Sequence, residues 1–257
     1  MEEFANLMNK KAEELGLKNS HFITPHGLDK EEHYTTAYEL ALIADYALNN
    51  PKISEIVKTK TYTVKINNSS KIINNTNELL GYLDGVTGVK TGFTNGAGRC
   101  LVTSVERNGF NIITVVLGAD TKKIRTRDSI KLIEYIYSNY ELVNLEELIK
   151  EQFGEWERIN EKRIYIYKGR KDNIEVSLED YKYKVYPVKK DNIKNISVEI
   201  KNVQSYFEAP VSTNTEVGKL TLNIGNEELM NIKILTDESV ERKEIKDYIF
   251  ESLKAIV

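Results

Sequence analysis

The chain has 257 residues, which is enough for one large domain or two ordinary ones, and we expect two. Apolar residues make up 40% and charged residues 29%, a normal balance for a globular protein. The formal net charge of -3 provides no basic field, so we expect no nucleic-acid partner. The single cysteine, Cys100, excludes an internal disulfide and leaves the compartment open.

Two helices are predicted near the beginning of the chain. Apolar residues recur every three to four positions over residues 3–15, and Gly16 follows as a stop signal. Thr36 and Glu39, three residues apart, form a capping box, which predicts a second helix that ends near Leu48.

The middle of the chain predicts antiparallel strands. Residues 53–80 are rich in β-branched and polar residues around a turn at 67–70, which predicts a hairpin. An antiparallel meander of three further strands is predicted over residues 86–94, 99–107 and 110–117. The Asn-Gly pair before the third strand is a strong hairpin signal, and the continuous apolar run at 112–117 is typical of a strand covered on both faces.

The rest of the chain predicts a second domain. A helix over about residues 130–140 closes the first domain, which we place at 1–141. Short alternating stretches at 163–167, 181–188, 196–200 and 220–224 then predict a small β domain over residues 142–240. Helical spacing returns at the end and predicts an amphipathic tail helix over residues 241–257.

The most informative motif lies on the first strand of the meander, where residues 89–93 read Val-Lys-Thr-Gly-Phe. A Lys-Thr-Gly triplet is one of three elements of penicillin-recognising serine hydrolases. The other two are Ser-x-x-Lys, which supplies the nucleophile and its base, and Ser-x-Asn, which relays protons. Neither occurs upstream of Lys90, and Ser-x-x-Lys occurs nowhere in the chain. The sequence therefore predicts a substrate-binding element without its nucleophile.

Longer segments around this motif also match a known pattern. They are Leu-Gly-Leu-Lys-Asn-Ser-His-Phe at 15–22, Pro-His-Gly-Leu-Asp at 25–29, Tyr-Thr-Thr-Ala at 34–37, Gly-Val-Thr-Gly-Val-Lys-Thr-Gly-Phe-Thr at 85–94, Ala-Pro-Val at 209–211 and Val-Gly-Lys-Leu at 217–220. With these segments in this order, the chain resembles the low-molecular-mass penicillin-binding proteins, serine D-alanyl-D-alanine carboxypeptidases of peptidoglycan metabolism. The resemblance implies an α+β fold, in which part of a penicillin-binding/β-lactamase-like transpeptidase domain precedes a small all-β domain.

The resemblance also implies roles for individual residues. Lys90 matches a catalytic-site lysine that neutralises the terminal carboxylate of the substrate and tunes the proton relay. Thr91 would hydrogen-bond that carboxylate, and Gly92 would leave room for a peptide antiparallel to the strand. The backbone N–H of Phe93 matches an oxyanion-hole donor. Arg125 matches an arginine that adds to the carboxylate site.

The implied ligands are peptidoglycan stem peptides and β-lactams, with no cofactor and no metal, in the cell envelope outside the cytoplasm. Met1 matches a point inside the helical lobe of the family, and no basic or apolar leader precedes the first helix. We therefore expect a truncated chain or a split reading frame rather than a dead paralogue, and no activity from this chain alone. A non-catalytic peptidoglycan- or partner-binding module is the alternative, whereas the appended β domain disfavours a β-lactamase.

Plainer interpretations remain open for several residues. Lys90 could be an exposed strand lysine, and Arg125 a surface arginine with Arg127 two residues away. Cys100 is expected to be an inert core thiol. Asp84 and Asp120 are expected to be turn residues.

The three histidines, the tail and the third meander strand also have alternatives. A metal site at His21, His26 and His33 is disfavoured, because the intervening proline and glycine prevent a helical pair, and loop packing is favoured. The tail helix either makes weak membrane-surface contact, as the resemblance implies, or packs on its own domain. The strand at 110–117 is expected to be an unprotected edge through which the chain self-associates.

Overall fold

The computed structural model describes residues 1–67, 69–160 and 162–254 and divides into two compact units, residues 1–138 and 139–257. Its mixture of helices and strands confirms the α+β class. The first unit contains α1 (Glu2–Glu14), α2 (Ala37–Leu48), α3 (Pro51–Val57), β1 (Thr61–Ile66), β2 (Ser69–Asn74), β3 (Val86–Thr94), β4 (Gly98–Arg107), β5 (Phe110–Ala119) and α4 (Lys122–Asn139).

The second unit is richer in strands. Its elements are β6 (Tyr140–Asn144), α5 (Leu145–Asn160), β7 (Tyr165–Tyr167), β8 (Val176–Leu178), β9 (Val185–Lys189), a 3-10 turn (Lys190–Asn195), β10 (Ile196–Lys201), β11 (Tyr206–Glu208), β12 (Glu216–Ile224), β13 (Glu227–Thr236) and α6 (Ile245–Lys254).

The sheet of the first unit is the predicted meander. β3, β4 and β5 are antiparallel and lie in that order, so β4 is central. Asn108 and Gly109 have φ of 52° and 77°, the left-handed conformations that a tight two-residue hairpin requires. Among the described residues, β3 and β5 each have one edge without a strand partner.

The prediction that the third strand is covered on both faces is wrong. Between residues 112 and 117 only Thr114 is buried, and the Leu117 side chain is 38% exposed. Ile112 packs against the core cluster of this unit, and α2 also contacts β5. An edge strand is less covered than a central one, so its apolar run overstates its burial.

Helix α3 was not predicted, because the sequence interpretation starts a hairpin excursion at residue 53. Asn50 caps this helix, with its side-chain oxygen accepting hydrogen bonds from the backbone N–H groups of Lys52 at 3.0 Å and Ile53 at 3.4 Å. Pro51 occupies the first turn, where its missing N–H has no effect on the helix. None of its residues is buried, and its apolar triplet Ile53, Ile56 and Val57 is too short a helical period to stand out from the strands that follow. The predicted hairpin is present as β1 and β2; residue 68 of its turn lies outside the described residues.

The predicted capping box at α2 is only half formed. The Thr36 hydroxyl accepts the Glu39 backbone N–H at 3.2 Å, as expected. The Glu39 carboxylate is instead buried and accepts hydrogen bonds from Lys18 N at 2.9 Å, Asn19 N at 2.8 Å and the Ser20 hydroxyl. Burial acts to raise the pKa of Glu39, but these hydrogen bonds outweigh it and lower the pKa. Glu39 thereby fastens the loop after α1 to α2.

In the second unit β10, β12, β13 and β8 form an antiparallel sheet, while β11 pairs with β7 and β6 pairs with β9. Each of the four predicted stretches contains a strand, although the one at 181–188 begins only at Val185. Helix α5 was not predicted. Its signals are Asn144, whose side chain caps the Glu147 N–H at 3.2 Å, and buried Leu145 and Ile149 four residues apart. The strand alternation that follows masked them.

The predicted tail helix is present as α6 from Ile245 to Lys254, and residues 255–257 lie outside the described residues. Arg170 fixes the beginning of this helix through Glu241 at 2.6 Å, Glu244 at 2.9 Å and Asp247 at 3.2 Å. Several of its apolar side chains are exposed, namely Ile245, Tyr248, Ile249, Phe250 and Leu253. No helix in the described part of the chain is both long and apolar enough to span a bilayer. Membrane-surface contact stays a prediction.

Candidate active site

The exposed edge strand β3 carries the Lys-Thr-Gly triplet. Lys90, Gly92 and Phe93 are exposed, whereas Thr91 is half-buried. The Lys90 ammonium donates a hydrogen bond to the carbonyl of Thr91 at 2.5 Å. Among the described residues no carboxylate forms an ion pair with Lys90, so its charge is available to an external anion.

Gly92 has no structural requirement within the chain. Its φ is not positive, and a Cβ built there would meet only the Cβ of Cys100, at an ordinary contact distance of 3.6 Å. A glycine inside a strand is less stable than alanine by about 0.5–1 kcal/mol. Because nothing in the chain excludes a side chain, the open space at Gly92 suits the close approach of another backbone from outside.

Phe93 is held against β4 rather than left loose. Its ring is 53% exposed, and the Arg99 guanidinium carbon lies 3.9 Å from the ring centroid. Such a cation–π contact fixes the ring and keeps a second cation near the end of the triplet. Sequence analysis assigned Phe93 a role through its backbone only and missed the contact of its side chain.

Thr91 and Arg125 are connected to one short segment, residues 75–78. The hydroxyls of Thr91 and Thr76 lie 2.6 Å apart. Arg125, at the start of α4, donates from Nη2 to Glu78 Oε2 at 3.3 Å. The sequence interpretation assigned no role to residues 75–78, because a polar loop after a hairpin carries no signal of what it contacts.

Arg125 is not the surface arginine of the plainer interpretation. Its side chain is 3% exposed, and its Nε has no partner among the described residues. Arg127 is 57% exposed and pairs with the adjacent Asp128. Burial and the link through Glu78 therefore favour Arg125 over Arg127 as part of this site.

A cavity of about 950 Å³ lies between the loop at 22–35 and the ends of the strands. At its wall Asp29 accepts the Gly96 N–H at 3.0 Å; hydrogen bonds from Thr94 and from Gly96 lower the pKa of Asp29. Cys100 also lines this cavity and is half-buried, so the expectation of a core thiol is wrong.

The three histidines contact the backbone of their own loop. His33 Nδ1 accepts Ile23 N at 3.0 Å, His26 Nδ1 accepts Leu28 N at 3.2 Å, and His21 Nδ1 lies 2.7 Å from the Glu32 carbonyl. In the parts of the chain that the structure describes, no three His, Cys, Asp or Glu side chains are grouped as metal ligands. These contacts favour the loop-packing interpretation.

Two serines that follow the triplet in the sequence, Ser104 and Ser129, do not form a nucleophile and base pair. Ser104 is buried with its hydroxyl 2.9 Å from Thr87, and Ser129 donates to the Arg125 carbonyl at 2.9 Å. Neither is followed by a lysine three residues later.

One Ser-x-Asn triplet does occur downstream of Lys90, at 212–214 in the second unit. It forms a turn rather than a relay. The Ser212 carbonyl accepts hydrogen bonds from Thr215 at 2.7 Å and Thr236 at 2.8 Å, and Asn214 has a φ of 59°.

Comparison with known proteins shows which family the chain belongs to. The sequence matches the D-alanyl-D-alanine carboxypeptidase family over residues 1–121 and the penicillin-binding protein 5 C-terminal domain over residues 158–242. The chain belongs to the low-molecular-mass penicillin-binding proteins, the serine D-alanyl-D-alanine carboxypeptidase family. Residues 90–93 lie inside the first match, and Arg125 lies just beyond it.

Several carboxypeptidases align with almost the whole chain. D-alanyl-D-alanine carboxypeptidase DacF of Bacillus subtilis is 31% identical over 242 residues, which are 94% of this chain and 59% of that protein. DacA of Haemophilus influenzae is 30% identical over 240 residues, 91% of this chain and 57% of that protein. The crystal structure of DacD from Francisella tularensis superposes with a TM-score of 0.66 at 25% identity and covers 94% of this chain and 69% of that one. This chain thus spans less than two thirds of the length of the two curated relatives.

Proposed function

We propose that this chain provides the carboxylate-binding side of a serine-type D-alanyl-D-alanine carboxypeptidase, which removes the terminal D-Ala from peptidoglycan stem peptides. The observation that carries the proposal is the exposed edge of β3, where an unpaired lysine and a glycine without an internal requirement stand two residues apart. From the family, whose members act on peptidoglycan, we infer that this protein acts in the cell envelope, with β-lactams as competing ligands.

In this proposal the stem peptide lies antiparallel along β3, in the space left by Gly92. The Lys90 ammonium attracts the terminal carboxylate, and the Thr91 hydroxyl donates a hydrogen bond to it. The N–H of Phe93 donates to the oxygen that becomes negative when the penultimate D-Ala carbonyl is attacked. Arg125 adds positive charge behind the carboxylate.

The covalent steps need groups that these 257 residues do not contain. A serine hydroxyl attacks the penultimate D-Ala carbonyl, a lysine takes its proton, the terminal D-Ala leaves, and water hydrolyses the acyl ester. Loss of nucleophile and base as a unit lowers turnover by on the order of a millionfold. We propose that these residues alone neither hydrolyse D-Ala-D-Ala peptides nor become acylated.

Intact mass spectrometry after incubation with benzylpenicillin tests this point, and we expect no adduct. A stoichiometric acyl adduct would contradict the proposal. The same incubation with an added polypeptide that carries the Ser-x-x-Lys and Ser-x-Asn segments of DacF tests the carboxypeptidase assignment. Penicillin labelling of that segment only in the presence of this chain supports it, and no labelling favours a non-catalytic peptidoglycan-binding or partner-binding module.

Binding by the chain alone is measurable without turnover. Titration of N-acetyl-D-Ala-D-Ala into the labelled protein should shift the amide resonances of residues 90–93. A charge-assisted hydrogen bond contributes about 1.5–3 kcal/mol, so Lys90→Ala should weaken binding by roughly tenfold to a hundredfold. Lys71→Ala, which removes an exposed lysine from β2, is the matched control. Equal affinity for Lys90→Ala and the parent would refute the assignment of Lys90.

A further inference from the structure

The segment between β2 and the core, Asn75 to Glu78, contacts two side chains of the candidate site, Thr91 and Arg125, and the backbone of β3. Each of its four side chains forms a hydrogen bond with residues outside the segment. The partners are Val57 and Thr59 for Asn75, Thr91 for Thr76, Gly88 for Asn77, and Arg125 with Thr126 for Glu78. Because four consecutive side chains attach to four different places, the segment is held in position along its whole length.

The segment itself is anchored at both ends. Asn75 Nδ2 donates to the carbonyls of Val57 and Thr59, both at 3.2 Å, at the end of α3. On the other side Leu79 is fully buried in the core of the first unit with Leu101. A segment held by α3 and by the core can hold its neighbours in turn.

Asn77 sets the backbone of β3. Its side chain is 2% exposed, donates to the Gly88 carbonyl at 2.8 Å and accepts the Leu79 N–H at 3.1 Å. Gly88 precedes Lys90 by two residues, so this bond fixes the strand where the triplet begins. Because a buried polar group that loses its partner is left desolvated without a hydrogen bond, the attachment is strongly preferred.

Thr76 controls the direction of the Thr91 hydroxyl. A hydroxyl has one proton to donate and can also accept. When Thr91 donates its proton to a ligand carboxylate, the short contact with Thr76 is satisfied only if Thr76 is the donor. The two hydroxyls then form a chain that points to the carboxylate, and each bond polarises the next.

Glu78 holds Arg125. A buried guanidinium requires a partner, and the Glu78 carboxylate accepts Nη2 of Arg125 at 3.3 Å and the hydroxyl of Thr126 at 2.9 Å. The Thr126 hydroxyl anchors the carboxylate, which in turn holds the Nη2 end of the guanidinium. Glu78 and Thr76 lie two residues apart, so the same short stretch of backbone positions both Arg125 and Thr91.

We propose that Asn75–Glu78 is the positioning segment of the carboxylate site, in which Thr76 orients Thr91, Asn77 sets β3 and Glu78 orients Arg125. None of the four residues needs to touch the substrate. The assignment of this role rests on the proposed function, whereas the geometry it requires exists without ligand. The two can therefore be tested separately.

The first test measures geometry in the free protein by NMR. Thr76→Val keeps the shape of the side chain and removes the hydroxyl, and Thr63→Val is the matched control on an exposed position of β1. In Thr76→Val only, we expect the three-bond couplings of Thr91 to change from the values of a single χ1 rotamer to values averaged over several rotamers. Thr76→Ser, which restores the hydroxyl, should restore the single rotamer. Unchanged couplings in Thr76→Val would overturn the role of Thr76.

The second test addresses Arg125. Glu78→Gln should increase the solvent exchange rate of the Arg125 Nε–H severalfold. Glu134→Gln is the matched control, because it removes the carboxylate of another ion pair of the same unit, with Arg107 at 2.8 Å. Equal Arg125 exchange rates in the two variants would overturn the role of Glu78.

The third test measures affinity for N-acetyl-D-Ala-D-Ala. We expect binding to weaken about threefold to tenfold in Thr76→Val and to return to within about twofold of the parent in Thr76→Ser, as for loss and recovery of one hydrogen bond. Changed Thr91 couplings with unchanged affinity would reduce the segment to a structural role and overturn the proposal. If the parent itself shows no shifts at residues 90–93, the proposed function fails, while the first two tests still decide the geometry.

Discussion

The two units of this chain differ in how completely they bury their apolar side chains. Among the described residues, the core cluster of the first unit has four buried members, Leu79, Leu101, Val105 and Ile133. The second unit has two clusters, of ten and six buried residues, although it is the shorter unit. The second unit therefore resembles a self-contained domain, whereas the first depends more on strand pairing and on individual polar anchors such as Glu39 and Asn77.

Among the described residues, the sheet of the first unit also has two edges without a strand partner. The β3 edge carries a lysine, threonines and glycines, and suits a short charged peptide. The β5 edge is apolar from residue 112 to 117, with no charge and no proline. Natural proteins usually protect such an edge, so we expect another strand to pair with it. The two edges thus fit different kinds of partner.

The largest expected effect comes from core truncation. Leu220→Ala should lower the free energy of unfolding of the second unit by about 2–5 kcal/mol. Leu101→Ala should lower that of the first unit by a similar amount. The single tryptophan, Trp156, packs against the second-unit core and reports its unfolding. In urea we expect far-UV circular dichroism to show an earlier transition of the first unit. Leu101→Ala should shift that transition without moving the Trp156 fluorescence midpoint, and Leu220→Ala should do the opposite. Coincident transitions in the parent chain would contradict the expectation that the first unit is the less stable of the two.

The next prediction concerns the open edge of β5. We expect the chain to dimerise or aggregate through residues 110–117, and Leu117→Lys to shift it towards monomer because a lysine on an edge disfavours strand pairing. Size-exclusion chromatography with light scattering measures the change, and Tyr82→Lys, at an exposed site away from this edge, is the control. A stable parent monomer with slowly exchanging amides throughout 110–117 would mean that the edge is already covered.

The smallest effect is a pH dependence confined to the first unit. Hydrogen bonds hold the folded-state pKa of Glu39 below its ordinary value of 4.5 despite burial. Its contribution to stability is therefore complete above that ordinary value and is lost as the pH falls through the lower folded-state pKa. Urea titrations between pH 3 and 6 should show a shallower pH slope of the first transition in Glu39→Gln than in the parent. The exposed Glu31→Gln is the control, and an identical slope in Glu39→Gln and the parent would contradict the role of Glu39.

Local patterns were sufficient for much of the first unit. The meander followed from alternation and from one Asn-Gly pair, and the Lys-Thr-Gly triplet with its flanking segments identified the family. These signals are local because turn geometry and strand period depend on adjacent residues. The same reasoning missed α3, which buries none of its residues, and overstated the burial of β5, because an apolar run does not show whether its strand is central or at an edge.

By itself, then, the sequence determined the family, the α+β class and the strand that carries Lys90. Only the tertiary structure decided what surrounds that strand. The contacts of Glu78 with Arg125, of Thr76 with Thr91 and of Glu39 with the loop after α1 join residues 47, 15 and about 20 positions apart. No local pattern encodes such pairs, because a hydrogen bond between distant residues depends on how the intervening elements pack. The same packing decides which arginine is buried and which strand edge remains open.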